Sequence, residues 1–319
     1  MESKFIQELK PGDRITTFFI LRKREIKLKK DSGEPYASFE FGDSSGRIRG
    51  TLWNNVKEIA SLLNVGDIVK VQGVVTTYGD SNYINVEKIR KAVQQDNVDK
   101  SQFIPRTEKD TRMLMLRLFS IIDSLKNDQI KRLLHLIFDD IDFKNEFAKS
   151  PAAKLWHHNY LGGLLEHTLN VVDICDKVLG NYERVNRDIL ISGALLHDIG
   201  KVAELTIEGF IDYSDTGRLL GHTVIGCQIV TQKISTIQDF PKHISDQIQH
   251  LILSHHGQKE QGAPIVPMTL EAIILHCADY LDSQSNAILR IIKKETKDSE
   301  KKWSKYINLI DRFIYLGDG

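Results

Sequence analysis

The stretch Ile191-Ser192-Gly193-Ala194-Leu195-Leu196-His197-Asp198-Ile199-Gly200-Lys201 decides how the chain is organised. Its apolar residues have the length of a helix, which delivers a histidine and an aspartate side by side and then meets Gly200, a residue that favours a helix end. Burying an imidazole together with a carboxylate costs several kcal/mol unless something compensates, and a divalent cation is the usual compensation. His197 and Asp198 therefore predict a metal site.

Further ligand types occur in the same kind of context, each in or beside an apolar, helix-like segment. They are His167, His222, His255, His256 and Asp279. With His197 and Asp198 they give seven nitrogen or oxygen ligands in the order H, HD, H, HH, D. Seven is more than one ion usually takes from protein while leaving room for water and substrate, so two ions fit better. The alternative is that scattered histidines only satisfy hydrogen bonds in the core.

This ordered set resembles the HD superfamily of metal-dependent phosphohydrolases, and specifically the bacterial YhaM-type 3′→5′ exoribonucleases. The segment from His157 to Thr168, HHNYLGGLLEHT, and the stretch from Leu195 to Lys201 resemble the signatures of that family. The resemblance extends over essentially the whole chain, because the family joins an N-terminal OB domain to a C-terminal HD domain.

The resemblance implies how the ligands divide between two ions. One ion would take His167, His197, Asp198 and Asp279, and the other His222, His255 and His256, with Asp198 bridging because a carboxylate has two oxygens. Such ions activate a water for hydrolysis of a phosphoester without a covalent intermediate. Nitrogen and oxygen ligands without thiolate suit manganese, iron, cobalt or zinc better than magnesium, and the resemblance favours Mn²⁺.

Several residues near the ligands have open roles. Lys201 follows Asp198 by three residues, so we expect it to reach the same side and bind the scissile phosphate, which makes these two the predicted catalytic residues. Its alternative is a solvated surface lysine, because Gly200 interrupts the helix. His157 and His158 either contact substrate or are packing or surface histidines. His276 is expected to support a ligand or to lie in the core.

The N-terminal part has the pattern of strands. Strands are expected at 13–30, 36–41, 47–53, 68–77 and 83–89, with a short helix at 55–63, which is the order of a five-stranded OB barrel. In the third strand a period of two places Arg47, Arg49 and Trp53 on the face opposite Ile48 and Leu52. These three predict a nucleic-acid-binding face, since arginines contact phosphates and tryptophan stacks a base. The alternative is a solvated outer face on which Trp53 caps the barrel.

The chain divides at a polar stretch without periodicity. We predict an OB domain at 1–95, a linker at 96–110 and an all-α HD domain at 111–319. Apolar residues with helical spacing recur through the last part, interrupted by loops expected at 209–217 and 258–267. The predicted fold class is therefore multidomain, a β-barrel followed by a helical domain.

Composition bounds the environment of the protein. The 319 residues are 41% hydrophobic, yet no apolar run approaches the ~20 residues of a membrane span. The N-terminus also lacks the apolar region of a signal peptide. Together these features predict a cytoplasmic protein without membrane association. Three widely separated cysteines predict reduced, buried thiols. Lys and Arg exceed Asp and Glu by four in residues 1–95 and fall short by four elsewhere, so the basic excess lies on the part expected to bind phosphate backbone.

The leading function is a 3′→5′ exonuclease acting on single-stranded RNA, with single-stranded DNA as a second substrate and a homo-oligomer as the expected assembly. A cyclic-dinucleotide phosphodiesterase shares the ligand order, but the sequence after His256 departs from the D-G-x-G-Y-P-like element of HD-GYP proteins. A mononucleotide phosphohydrolase would not need a strand-binding module. A nucleic-acid-binding adaptor with an inactive HD domain would show the loss of a ligand, and none is missing.

Overall fold

The computed structural model describes residues 4–29, 31–79, 81–98, 103–207, 209–295 and 302–317. Its contacts divide the chain into two compact units. The first comprises Met1–Pro105 together with Thr206–Asp212, and the second comprises Arg106–Leu205 together with Tyr213–Gly319. In the described part of the chain, no helix is long and apolar enough to cross a membrane.

The first unit is a closed five-stranded barrel. Its strands are β1 (Arg14–Leu28), β2 (Pro35–Gly42), β3 (Arg47–Leu52), β4 (Ile68–Tyr78) and β5 (Ser81–Lys91), with helix α1 (Val56–Ser61) between β3 and β4. The strand order around the barrel is β1-β2-β3-β5-β4, with β4 pairing back onto β1. Only the pairing of β3 with β5 is parallel among these contacts. Closure removes the unpaired edges of an open sheet, and this order is the OB arrangement expected from the sequence.

Side chains alternate across the barrel wall. On β3, Ile48 and Leu52 are buried while Arg47 and Arg49 are exposed. The buried face joins a cluster of apolar side chains that fills the barrel and includes Phe19 from β1. The period of two therefore determines which residues of β3 are left to face outward.

The second unit is mainly helical. Its helices are α2 (Thr111–Ser124), α3 (Asp128–Phe138), α4 (Ile141–Lys149), α5 (Gly163–Val178), α6 (Arg187–Leu196), α7 (Lys201–Glu204), α8 (Asp215–Leu220), α9 (His222–Ile234), α10 (Lys242–Ser254) and α11 (Leu270–Glu295). Short polar side chains cap several N-termini. Asn127 accepts from two backbone N–H groups of α3, and Asn186 does so at α6, which satisfies donors that a helix end leaves free.

Helix α6 is buried along most of its length, and only Ser192 is polar among its buried residues. Residues from Ile189 to Leu196 are all buried, and the apolar side chains among them pack in one cluster with side chains of α5, α10 and α11. The end of α6 is therefore held rigidly where His197 and Asp198 begin.

The segment 209–217, expected to be a loop, instead contains regular structure. Strands β6 (Leu205–Ile207) and β7 (Ile211–Tyr213) form a two-stranded sheet, and α8 follows. Three-residue strands are too short to show a periodic pattern, which is why the sequence did not reveal them. Phe210 lies in this segment and packs with the apolar cluster of Ile20, Ile68 and Phe103, so Thr206–Asp212 group with the barrel unit.

The cysteine prediction is only partly right. Cys175 is buried, but Cys227 is half-buried and Cys277 is exposed. Cys277 lies on the outer face of α11, so apolar neighbours in the sequence did not indicate burial there.

Candidate active site

The seven predicted ligands come together at one place in the helical unit. His167 projects from α5, His197 and Asp198 follow the last residue of α6, and Asp279 lies on α11. His222 is the first residue of α9, and the pair of His255 and His256 follows α10. Residues from distant parts of the sequence thus converge at the ends and faces of packed helices.

Asp198 lies at the middle of this cluster. Its Oδ2 is 3.4 Å from Nε2 of His167 and 3.4 Å from Nε2 of His197. Its Oδ1 is 3.4 Å from Nε2 of His222 and 3.6 Å from Nε2 of His255. The two oxygens of one carboxylate therefore face two different pairs of histidines.

The remaining two ligands complete these groups. Oδ1 of Asp279 is 3.1 Å from Nε2 of His167. On the other side, Nε2 of His256 is 3.1 Å from Nε2 of His222. Each group thus contains three or more potential ligand atoms close to one another.

The geometry fits divalent cations rather than a hydrogen-bonded core. Within the described residues, Oδ1 of Asp198 and Nε2 of His255 are buried without a hydrogen-bond partner, and such groups are costly unless something else compensates them. Nitrogen pairs that face each other, such as Nε2 of His222 and Nε2 of His256 at 3.1 Å, repel if both carry lone pairs. A cation bound between such atoms removes both costs.

The other ring nitrogen of each histidine is held by the protein, which aims Nε2 at the centre. Nδ1 lies within hydrogen-bond distance of a backbone carbonyl in three of them, namely His197, His255 and His256. Nδ1 of His167 lies 2.7 Å from Oδ2 of Asp282, and Nδ1 of His222 lies 2.9 Å from Oε1 of Glu204. Ligating histidines in metalloproteins usually have such a partner, because it fixes the tautomer and the orientation of the ring.

Asp282 and Glu204, which contact two of the predicted ligands, were missed by sequence reasoning. A signal for Asp282 was present, since it follows Asp279 by three residues and so shares the face of α11. His276 precedes Asp279 by three residues on the same helix, and its Nδ1 lies 2.8 Å from the backbone oxygen of His255. It holds the turn that carries the predicted ligand His255, which is one of the two roles expected for it.

Charge in the cluster shifts several pKa values. Burial alone would raise the pKa of Asp198, but the neighbouring Lys201 and His197 hold it well below its usual value. Burial alone would lower the pKa of His167, but the carboxylates of Asp198, Asp279 and Asp282 raise it well above the usual value. At the edge of the cluster, burial lowers the pKa of His256 to about 4.

Lys201 is buried rather than a solvated surface lysine. Its Nζ lies 2.6 Å from Oδ2 of Asp198, and burial would lower its pKa, but the Asp198 carboxylate raises it. The side chain therefore places a fixed positive charge beside the central carboxylate.

Gly200 has a different role from the one inferred from the sequence. Its φ of −65° is that of a right-handed helix, which any residue adopts. A Cβ at this position would lie 2.0 Å from the backbone oxygen of His222. The absence of a side chain thus lets the turn after Asp198 approach the start of α9 and brings Asp198 and His222 together.

His158 is a structural member of the site. Its Nε2 lies 2.8 Å from Oδ2 of Asp282 and its Nδ1 lies 2.8 Å from the hydroxyl of Tyr160, and Asp282 also holds His167. Of the two roles left open for this residue, the contacts are those of packing and support.

His157 has a different environment. Its ring packs against that of His167 with centroids 4.9 Å apart. Both ring nitrogens are buried and have no hydrogen-bond partner in the described part of the chain. Burial lowers the pKa of this imidazole well below its usual value.

The barrel unit carries a separate groove on its outer face. The groove has a volume of about 880 Å³, and the predicted residues Arg47, Arg49 and Trp53 line it. The Trp53 ring is 41% exposed, stacks on Tyr36 at 5.1 Å between centroids and has Nζ of Lys29 5.6 Å from its centroid. These residues form an open surface with positive charge and an exposed aromatic plane.

Three tyrosines of this groove were missed. Tyr36, Tyr78 and Tyr83 line it with the predicted residues, and Tyr78 is 83% exposed. The signal for Tyr36 was the period of two on β2, which places it with Ser38 and Glu40 on the face opposite the buried Phe39. Glu40 lies 3.5 Å from Arg47, so one of the two arginines is partly neutralised.

Comparisons with known proteins agree with both units. Residues 164–284 match the family described as the HD domain, and residues 20–92 match the family described as an OB-fold nucleic acid binding domain. The chain is 29% identical over 303 residues to the 3′-5′ exoribonuclease YhaM of Listeria monocytogenes serotype 4b (strain CLIP80459), covering 94% of each protein. The protein of that name from serovar 1/2a (strain ATCC BAA-679 / EGD-e) matches to the same extent.

A solved structure is similar to part of this chain. The crystal structure of a domain of replication protein A from Methanococcus maripaludis is 29% identical and covers 28% of this chain and 94% of that domain, with a TM-score of 0.25. The fold class predicted from the sequence, an OB barrel followed by a helical HD domain, is confirmed. The resemblance to YhaM-type proteins is confirmed over nearly the whole chain.

Proposed function

We propose that this protein is a metal-dependent 3′→5′ exoribonuclease that hydrolyses the phosphodiester bonds of single-stranded RNA. The observation that carries the proposal is the buried carboxylate of Asp198, whose two oxygens face two groups of histidines. The similarity to an exoribonuclease over 94% of both chains supports the same activity. The OB-fold domain supports single-stranded nucleic acid as the substrate.

Two divalent ions, most suitably Mn²⁺, are proposed for this centre, with Fe²⁺, Co²⁺ and Zn²⁺ as alternatives. One would be held by His167, His197, Asp198 and Asp279, and the other by His222, His255 and His256 with the second oxygen of Asp198. Bound ions of this kind supply an activated water and neutralise charge on the phosphoryl group. The donor set of imidazole and carboxylate without thiolate suits these metals.

The protein's own residues orient and balance this chemistry. The partners of the Nδ1 atoms keep the Nε2 atoms of five histidines directed at the proposed two-ion centre. Lys201 is proposed to exchange its contact with Asp198 for the scissile phosphate when substrate arrives, because a buried ammonium attracts the most highly charged oxygen within reach. Arg47, Arg49 and Trp53 are proposed to hold the strand through phosphate contacts and base stacking.

The alternatives from the sequence make different predictions in one experiment. Single-stranded RNA and DNA labelled at the 3′ or the 5′ end are incubated with the protein and Mn²⁺ and separated on a gel. The proposal predicts early release of the 3′ label and a ladder that shortens steadily from the 5′-labelled strand. Internal cleavage, or turnover of only cyclic dinucleotides or mononucleotides, would contradict it. Binding without any cleavage would indicate an adaptor.

Two further expectations from the sequence stay proposals. A homo-oligomer is expected, and sedimentation velocity would measure it directly. A cytoplasmic location is also expected, and cell fractionation would test it.

A further inference from the structure

His157, whose ring nitrogens have no hydrogen-bond partner among the described residues, lies within reach of the metal centre but belongs to neither proposed set of ligands. One ligand atom each of His157, His167 and Asp198 lie within 4.8 Å of one another. Both nitrogens of His157 are buried and, among the described residues, without a hydrogen-bond partner. Leaving two polar atoms in this state is unfavourable, which favours a contact from outside the described residues.

A metal ion is the poorer candidate for that contact. The five histidines of the proposed metal centre each have Nδ1 held by a carboxylate or a backbone carbonyl, as ligating histidines usually do. In the part of the chain that the structure describes, neither nitrogen of His157 has such a partner. The ring is therefore not oriented in the way that the same fold orients its ligands.

The backbone nevertheless fixes where His157 points. His158 has a φ of 41° and is fully buried, a conformation that is unfavourable for a residue with a side chain. It is held by a hydrogen bond from its N–H to Asn286 Oδ1 and by the contact of its ring with Asp282. A Cβ on Gly163 would lie 2.0 Å from the backbone oxygen of His158, so the start of α5 packs directly against this turn.

We propose that His157 is a substrate-binding residue, which donates a hydrogen bond to a phosphate oxygen of the RNA at the metal centre. An imidazole carries an N–H donor whether it is neutral or protonated, and phosphate oxygens accept. The strained, anchored turn at His158 then serves to present that donor. This inference rests on the proposed function for the identity of the substrate, whereas the contact with a phosphate group can be measured independently.

The test compares variants that keep or remove the donor. His157→Phe removes it with a ring of similar size, while His157→Asn and His157→Gln retain an N–H donor at different reach. His243→Phe is the matched control, since His243 is an exposed histidine of the same unit. Circular dichroism and melting temperature verify that each variant is folded.

The first measurement is metal binding, by titration calorimetry with Mn²⁺ and by elemental analysis. We expect the same stoichiometry and affinity in wild type and His157→Phe. Loss of an equivalent of Mn²⁺ in His157→Phe would show that His157 is a ligand and would overturn the proposal.

The second measurement is the affinity of the Mn²⁺-loaded protein for inorganic phosphate, with kcat/KM on a short RNA beside it. Loss of a hydrogen bond to a charged group predicts a decrease of about tenfold to a hundredfold in both for His157→Phe, with partial recovery in Asn or Gln and no change in His243→Phe. Unchanged phosphate affinity would contradict the proposal. If the wild type cleaved no RNA but phosphate binding still depended on His157, the proposed function would fail while this contact stood.

Discussion

Nζ of Lys201 lies 2.6 Å from Oδ2 of Asp198, and both side chains are buried. This ion pair places a positive charge on the same carboxylate that faces four histidines. In the absence of metal, Lys201 is the nearest formal cation that compensates the buried aspartate. With metal bound, the ions take over part of that role.

Replacement of Lys201 by Met should therefore affect stability most in the metal-free protein. Removing one partner of a buried ion pair costs about 3–5 kcal/mol, and bound cations at Asp198 should reduce that cost. Denaturant unfolding in EDTA and in Mn²⁺ measures the difference. Lys242→Met, at an exposed lysine that pairs with Asp246, is the control and should change stability little under either condition. An equal loss for Lys201→Met with and without metal would argue against cations at Asp198.

The raised pKa of His167 predicts that metal and protons compete. Because Asp198, Asp279 and Asp282 raise that pKa above its usual value, they favour the protonated form of His167 in the metal-free protein, and a metal must displace that proton. Apparent Mn²⁺ affinity should rise as pH increases through this raised pKa and fall as pH decreases. Calorimetry in buffers of different ionisation enthalpy counts the protons released. Affinity independent of pH between 6 and 8 (roughly one unit either side of neutral) would refute the assignment of His167 as a ligand.

The carboxylates behind the histidines should act on different ions. Asp282 holds His167 and Glu204 holds His222, and loss of such a partner typically lowers metal affinity or activity by about 10–100-fold. Asp282→Asn should therefore weaken one of two Mn²⁺ binding events and Glu204→Gln the other. Each variant is the control for the other in a calorimetric titration. Identical effects of both on both events would indicate a single site.

The affinity of the barrel groove for single-stranded RNA has an electrostatic contribution and a stacking contribution, which can be measured separately. Replacing Arg47 and Arg49 with Ala should decrease the slope of log affinity against log salt by about 0.7 for each phosphate that is no longer neutralised. The decrease should be smaller for Arg47, since Glu40 lies beside it. Fluorescence anisotropy with single-stranded RNA at several salt concentrations measures this, with Lys88→Ala, an exposed lysine of β5 that does not line the groove, as control.

Trp53→Ala in the same assay should cost about 1–3 kcal/mol with little change in the salt slope, because stacking releases no counterions. Tyr36→Ala, which removes the ring that stacks on Trp53, should likewise weaken RNA binding with little change in the salt slope. An unaltered affinity and slope in both the arginine and the tryptophan variants would mean that RNA binds elsewhere on the protein.

Periodicity and the order of potential ligands in the sequence predicted the residues of the metal cluster and the outward face of β3. The ordered histidines and aspartates indicated which residues come together, and alternation on β3 indicated which side chains face outward. Tyr36 was within reach of the same argument on β2. These features are local, so a single sequence contains them.

The contacts that support the predicted ligands could not be predicted from local patterns in the sequence. The partnership of Asp282 with His167 joins residues 115 positions apart, and the close approach of Gly200 to His222 depends on how α7 packs on α9. Nothing local in the sequence distinguishes His157 from His158. The structure separates them, because one ring is fully hydrogen-bonded and the other has no partner among the described residues.

The most direct test of the two-ion centre is titration of the metal-free protein with Mn²⁺, with bound metal and RNA cleavage followed together. The account predicts two equivalents per chain and activity that reaches its maximum only as the second ion binds. Asp198→Ala, which leaves the buried residues Leu195, Leu196 and Ile199 in place, should remain folded but neither bind both ions nor cleave RNA. Full activity at one equivalent, or a folded Asp198→Ala variant that still cleaves, would contradict the account.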